Sequence, residues 1–95
     1  MVHELKTWPI YFNAILEGKK TFELRKDDRR FSKGDTLHLR EWSPEDEAYS
    51  GRWIDVTVTY KTEGVLFGLK EGYCALAFNG IDASFDCTEI AKERP

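Results

Sequence analysis

The hydrophobic repeat of this chain changes period once, at Gly18, and that change restricts the fold more than any other feature. Before it, Trp8, Phe12, Ile15 and Leu16 fall at i, i+4, i+7 and i+8, one face of a helix. Thr7 stands where an N-cap belongs, and Pro9 is tolerated in a first turn because the N–H groups there have no intrahelical acceptor. The spacing predicts a helix over residues 8–17, with Gly18 as the left-handed residue that ends it. Beyond Gly18 the period is two. Thr21 to Lys26 reads as a strand with Phe22 and Leu24 inward and Thr21, Glu23 and Arg25 outward. Thr36 to Trp42 sets Leu37 and Leu39 against His38 and Arg40, and Arg52 to Tyr60 sets Ile54, Val56 and Val58 against Thr57 and Thr59. Val65 to Leu69, broken by Gly68, and Tyr73 to Phe78 complete the series, while His3 to Lys6, with Val2 and Leu5 as its apolar content, precedes the helix.

Turn chemistry separates these segments. Asp27-Asp28-Arg29-Arg30 is a polar connection, Lys33-Gly34-Asp35 a tight turn, and Ser43 to Gly51 an acidic loop containing Pro44. One short helix and five or six short strands predict a mostly β, α+β domain, a small barrel or strongly twisted sheet. Closing such a sheet removes the edges that short strands would expose, and the helix would cap one open end through Trp8, Phe12 and Leu16. The tail from about residue 82 is weakly patterned, and its last few residues read as frayed.

A chain of 95 residues makes one domain, since two halves would each be too small to bury a core. No apolar run approaches the roughly 20 residues that span a bilayer, and residues 1–6 carry no secretory pattern, so a cytoplasmic protein with no membrane contact is expected. Cys74 and Cys87 lie in no CxxC pattern and read as free thiols in a reducing compartment, although their spacing leaves a disulfide open. His3, His38, Cys74 and Cys87 include no close-spaced ligand pair, so neither a metal nor a cofactor is expected.

Charge is distributed unevenly. Residues 18–34 hold seven basic and three acidic side chains, a local +4, whereas the rest of the chain carries −7. A positive patch on an acidic body can focus one anionic ligand while repelling bulk polyanion. The same run also fits a solvated basic turn. Within it Lys20, Glu23 and Arg25 concentrate chemistry. Residues 23 and 25 leave one strand face about 7 Å apart. Arg25 can offer a bidentate fork to a phosphate or base edge, Lys20 a point charge, and Glu23 an acceptor for an exocyclic amine. A neutralised surface salt-bridge row would look the same in sequence.

Gly18, Lys20, Glu23 and Arg25 resemble the G-x-K-x-x-E-x-R motif of the ASCH domain family, whose fold is a PUA-like β-barrel. The context resembles one branch, DUF3850: His3-x-Leu5-Lys6 before the helix, Phe12 within it, Asp28-Arg29-x-Phe31-x-x-Gly34-Asp35 after the motif, and Glu41 after the third strand. The resemblance covers residues 3–60. It implies a cleft between the helix end and the barrel, lined by the motif charges, that binds RNA or a modified nucleoside or nucleotide. Some small ASCH proteins remove acyl groups from N4-acylated cytidine with a lysine, a threonine and a glutamate. Lys20 matches that lysine, but the threonine position is Glu23. A carboxylate cannot replace a hydroxyl nucleophile without a change of mechanism; Glu23 would act as a general base for water, with Lys20 or Arg25 stabilising an oxyanion.

The same resemblance places Asp28 and Arg29 at the border of the cleft, and His3 and Lys6 beside the motif. Structural roles are the alternative: a loop tether for Asp28, a pairing of Arg29 with Glu41 or Asp35, and a hydrogen-bonded His3. Arg40 and His38 could extend a phosphate path or be solvated. Trp8, Trp42, Trp53 and Tyr73 are candidate stacking platforms, with Trp8 or Trp42 preferred. Two further function classes stay open: an amidohydrolase acting on N4-acylated cytidine or a similar amide, and an accessory module contacting a protein partner through acidic loop residues 43–49.

Overall fold

The computed structural model describes residues 1–65 and 68–84. Its elements in chain order are β1 (Val2–Thr7), α1 (Pro9–Leu16), β2 (Phe22–Lys26), β3 (Thr36–Ser43), β4 (Ala48–Glu63) and β5 (Tyr73–Ala83). The strands form one sheet in the order β1-β3-β4-β5-β2. β1 runs parallel to β3, and the other neighbours are antiparallel. Register shifts near Arg40, Asp55 and Val58 add local twist. The sheet curls into a half-barrel whose outer strands are β1 and β2, with the single described helix packed against β3. The mostly β architecture expected from the period change is the one observed.

The core fills the concave side. Leu37, Leu39, Ile54, Val56, Val58, Cys74, Leu76 and Phe78 come from β3, β4 and β5, Leu5 from β1, Phe12 and Ile15 from α1, and Phe31 from the β2–β3 connection. β3 and β4 bury the faces that their alternation predicts. In α1 the buried residues are Phe12 and Ile15 rather than Trp8. Gly18 takes the left-handed conformation (φ 73°), and its N–H donates to Ile15 O at 3.0 Å, so the helix stops there and releases the chain toward β2.

Several expectations need correction. Thr7 does not cap the helix: it is the last residue of β1, Trp8 occupies the N-cap position, and no side chain caps it. Val2 points away from the core, because period two puts His3, Leu5 and Thr7 on the buried face. The acidic loop is mostly strand, since β3 and β4 form a hairpin that pairs up to Ser43 and Ala48. Val65 opens a turn closed by Gly68 N–H to Val65 O at 3.1 Å, so the described part of 65–69 is not a strand. Cys87 and the tail beyond Ser84 lie outside the described residues.

The largest correction concerns β2. Phe22 and Leu24, expected inward, are 45% and 54% exposed, whereas Glu23, expected outward, is 7% exposed. Register explains the inversion. Glu23 lies opposite Leu76 and Arg25 opposite Cys74 on β5, and directly paired residues share a sheet face. Leu76 and Cys74 both belong to the core, so the motif charges point into the open half-barrel.

Candidate functional site

Between β1 and β2 the sheet does not close. There the end of β1, the start of α1 and the middle of β2 surround a cavity of about 290 Å³ lined by Lys6, Thr7, Trp8, Tyr11, Glu23, Leu24 and Arg25. Glu23 is its charged centre. Lys20 Nζ donates to Glu23 Oε1 at 3.3 Å, and Arg25 Nη2 lies 3.8 Å from Oε2. Two cations thus offset the cost of burying the carboxylate. The ammonium of Lys20 also sits over the rings of Tyr11 (4.9 Å) and Phe22 (5.6 Å). Trp8 and Tyr11, each about half exposed, stack at 6.5 Å and 26° on the helix side.

Two further hollows along β2 share lining residues with this cavity. One adjoining hollow of about 370 Å³ shares Tyr11, Glu23 and Leu24 and adds Lys20 and Phe22. Another of about 250 Å³ shares Leu24 and Arg25 and adds Asp28, Arg29 and Tyr73. The residues named from sequence at 20, 23, 25, 28 and 29 thus line three neighbouring hollows that share walls along β2, with Lys6 and Trp8 lining the first. A larger hollow of about 550 Å³ is lined by Asp27, Glu63, Glu71 and Tyr73 and lacks the basic character of the run at 18–34.

Arg25 and Arg29 are also structural. Arg25 Nη2 donates to Lys6 O at 2.6 Å, and Arg29 Nη1 donates to Glu4 O. Carbonyls on the open side of β1 are thereby satisfied by guanidinium groups from across the gap rather than by another strand. Lys6 contributes its carbonyl to this clasp, and its ammonium lies 4.5 Å from the Trp42 ring centroid. Asp28 is exposed and 4.0 Å from Arg29 Nε; the loop tether expected of it belongs instead to Asp27, which accepts from Phe31 N–H and pairs with Lys61 at 2.6 Å. That pairing holds the Asp27 carboxyl below its ordinary value and raises the Lys61 ammonium, while burial raises the Cys74 thiol.

Two candidates fall elsewhere. His3 is 4% exposed, lies 2.8 Å from Asp35 Oδ2 and packs edge-on to Phe31, so it holds the β2–β3 turn. Arg40 donates to Glu4 at 2.8 Å and covers the Tyr49 ring at 3.7 Å on the outer sheet face. His38 shares that face with Asp55 and Trp53. Glu41, matched by the DUF3850 pattern, is a buried anchor: it accepts from Arg52 and Ser50, and its carboxyl is held low chiefly by Arg52.

Thr7 and Tyr11 line the cleft but were not singled out as site residues in the sequence. Period two from Leu5 places Thr7 inward, and the i, i+3 spacing of Trp8 and Tyr11 places both on one helix side; these signals were available. Among the described residues no group of three His, Cys, Asp or Glu is placed to hold a metal ion, and no helix is long and apolar enough to cross a membrane.

Among the described residues, a half-barrel with one helix and a charged groove along its open seam defines a small β domain with a cleft. The chain belongs to the DUF3850 family, a domain of unknown function, whose sequence profile matches residues 2–78. It is 42% identical over 62 residues to the "uncharacterized 12.9 kDa protein in GpA 3′ region" of Escherichia phage P2, an alignment covering 65% of this chain. The chain spans 55% of the length of that relative.

Proposed function

We propose that this domain binds RNA or a modified nucleoside or nucleotide in the groove along β2. The observation that carries the reading is the buried Glu23 carboxylate, set between Lys20 and Arg25 in a cavity with half-exposed aromatic rings at its lip. Bases offer π-faces to aromatic rings and N–H groups to carboxylates, while cations favour the backbone. The G-x-K-x-x-E-x-R resemblance to ASCH domains supports the same reading, as does the groove's continuation toward Arg29. The test is a melting-shift panel of nucleosides, nucleotides and short single-stranded RNAs. Stabilisation that grows with ligand concentration supports the proposal; no shift with any probe refutes it.

A second reading, amide hydrolysis, draws on the Lys20–Glu23 contact at 3.3 Å inside the cleft. In it Glu23 would take a proton from water as its oxygen adds to the acyl carbon, and Lys20 would stabilise the oxyanion. The C–N bond would break as Glu23 returns the proton to the leaving amine. Incubation with N4-acetylcytidine tests it directly: released cytidine supports turnover, and none at high enzyme concentration removes that substrate. A protein partner at residues 43–49 would instead leave melting unaffected by nucleotides.

A further inference from the structure

Among the described residues, two buried side-chain atoms have no hydrogen-bond partner: Thr7 Oγ1 and Glu23 Oε2. Both residues line the same cavity, one from each side of the open seam. Thr7 is 3% exposed and Glu23 7%. Leaving one polar atom buried without a partner weakens a fold, and two such atoms on residues that line one cavity point to a partner that arrives from outside.

We propose that Thr7 and Glu23 form the floor of the cleft and read the uncharged edge of a nucleobase, an N–H beside a carbonyl or ring nitrogen, while the phosphate stays outside. The inference deepens the nucleoside reading and rests on it. Oε1 is occupied by Lys20, and Arg25, which stands 3.8 Å from Oε2, already donates to Lys6 O. Oε2 therefore offers one acceptor to a ligand N–H, and the Thr7 hydroxyl has a proton to give to the neighbouring acceptor. An oxyanion brings no N–H and would face the carboxylate, so phosphate is disfavoured on the floor. A cationic ligand would meet Lys20 and Arg25. A flat, neutral edge fits, with its ring against Trp8 and Tyr11 at the lip.

The test uses the four ribonucleosides and their 5′-monophosphates as probes, titrated against the intact chain and its Thr7→Val and Thr7→Ser variants. A nucleoside should bind within about threefold of its own monophosphate. Thr7→Val should weaken that binding about tenfold while raising Tm by about 4 °C, because it removes an unpartnered hydroxyl. Thr7→Ser keeps the hydroxyl and should bind like the parent. A hydroxyl with a purely structural role would lower Tm when removed, so the opposed movements of affinity and Tm are diagnostic. A monophosphate that binds at least about tenfold tighter than its nucleoside overturns the inference. Unchanged affinity in Thr7→Val overturns it too, with nucleoside binding intact. No binding of any nucleoside or monophosphate overturns this inference, and the absence of any response to the short RNAs of the melting-shift panel as well overturns the binding reading with it.

Discussion

Glu41 shows how much one carboxylate can hold in a domain of this size. It is 6% exposed and accepts from Arg52 at 2.9 and 2.8 Å and from Ser50 at 2.6 Å. Arg52 in turn reaches Asn13 on α1 at 3.2 Å, so the pair ties the helix to the sheet. Glu41→Ala should cost about 2–3 kcal/mol, read as a lower urea midpoint, since a partly buried guanidinium loses its carboxylate partner while keeping its bond to Asn13. Lys20 offers a contrast. Its ammonium serves Glu23 and two aromatic rings at the groove, so Lys20→Met should impair ligand binding more than it impairs folding. A variant with normal ligand response and a strongly lowered Tm would assign Lys20 to the fold instead.

At the scale of elements, β1 is held on one side by β3 and on the other by two arginines. Arg25→Ala should cost about 1–2 kcal/mol and quicken amide exchange in β1, because Lys6 O loses its donor and the seam loosens. Unchanged exchange in β1 would show that the clasp contributes nothing. β2 is also where sequence reading stops. Alternation in Thr21 to Lys26 reveals a strand but not which face turns inward; that is fixed by register against β5, some fifty residues away in the chain. Phe22 and Leu24 invited the apolar-inward choice, yet Leu76 and Cys74 already occupy the core beside Glu23 and Arg25. For β3 and β4 local pattern and register agree, and both faces were legible. The helix stop at Gly18 was legible because the left-handed conformation that ends a helix carries no steric cost for glycine. For His3 the sequence leaves a site role and a hydrogen-bonded structural role open, because its partner, Asp35, lies in a turn that only the parallel β1–β3 pairing brings near.

Across the whole molecule, ion pairs set limits at both ends of the pH scale. Asp27, Asp35 and Glu41 have carboxyls held below their ordinary values, chiefly by Lys61, His3 and Arg52 respectively. Groups lowered on folding stabilise above their unfolded values near pH 4 and lose that contribution as pH falls through the folded ones. Lys61 is raised by Asp27, so its share is present below its unfolded value and disappears as pH rises through the folded one. Lys61→Met should therefore reduce the alkaline limb of a urea-midpoint profile, leaving the share due to the buried Cys74 thiol, which burial also raises, and shrink the acid limb, since Asp27 loses its partner. Limbs of unchanged size in the variant would show that the Lys61–Asp27 pair contributes to neither. The half-exposed indole of Trp8 has a consequence of another kind. Trp42 and Trp53 lie outside the cleft lining, so in a Trp42→Phe/Trp53→Phe background the indole emission, excited beyond the absorption of the four tyrosines, comes from the groove's lip alone. The molecule then carries its own optical reporter, in which a stacked occupant would quench or shift a single fluorophore without any label being attached.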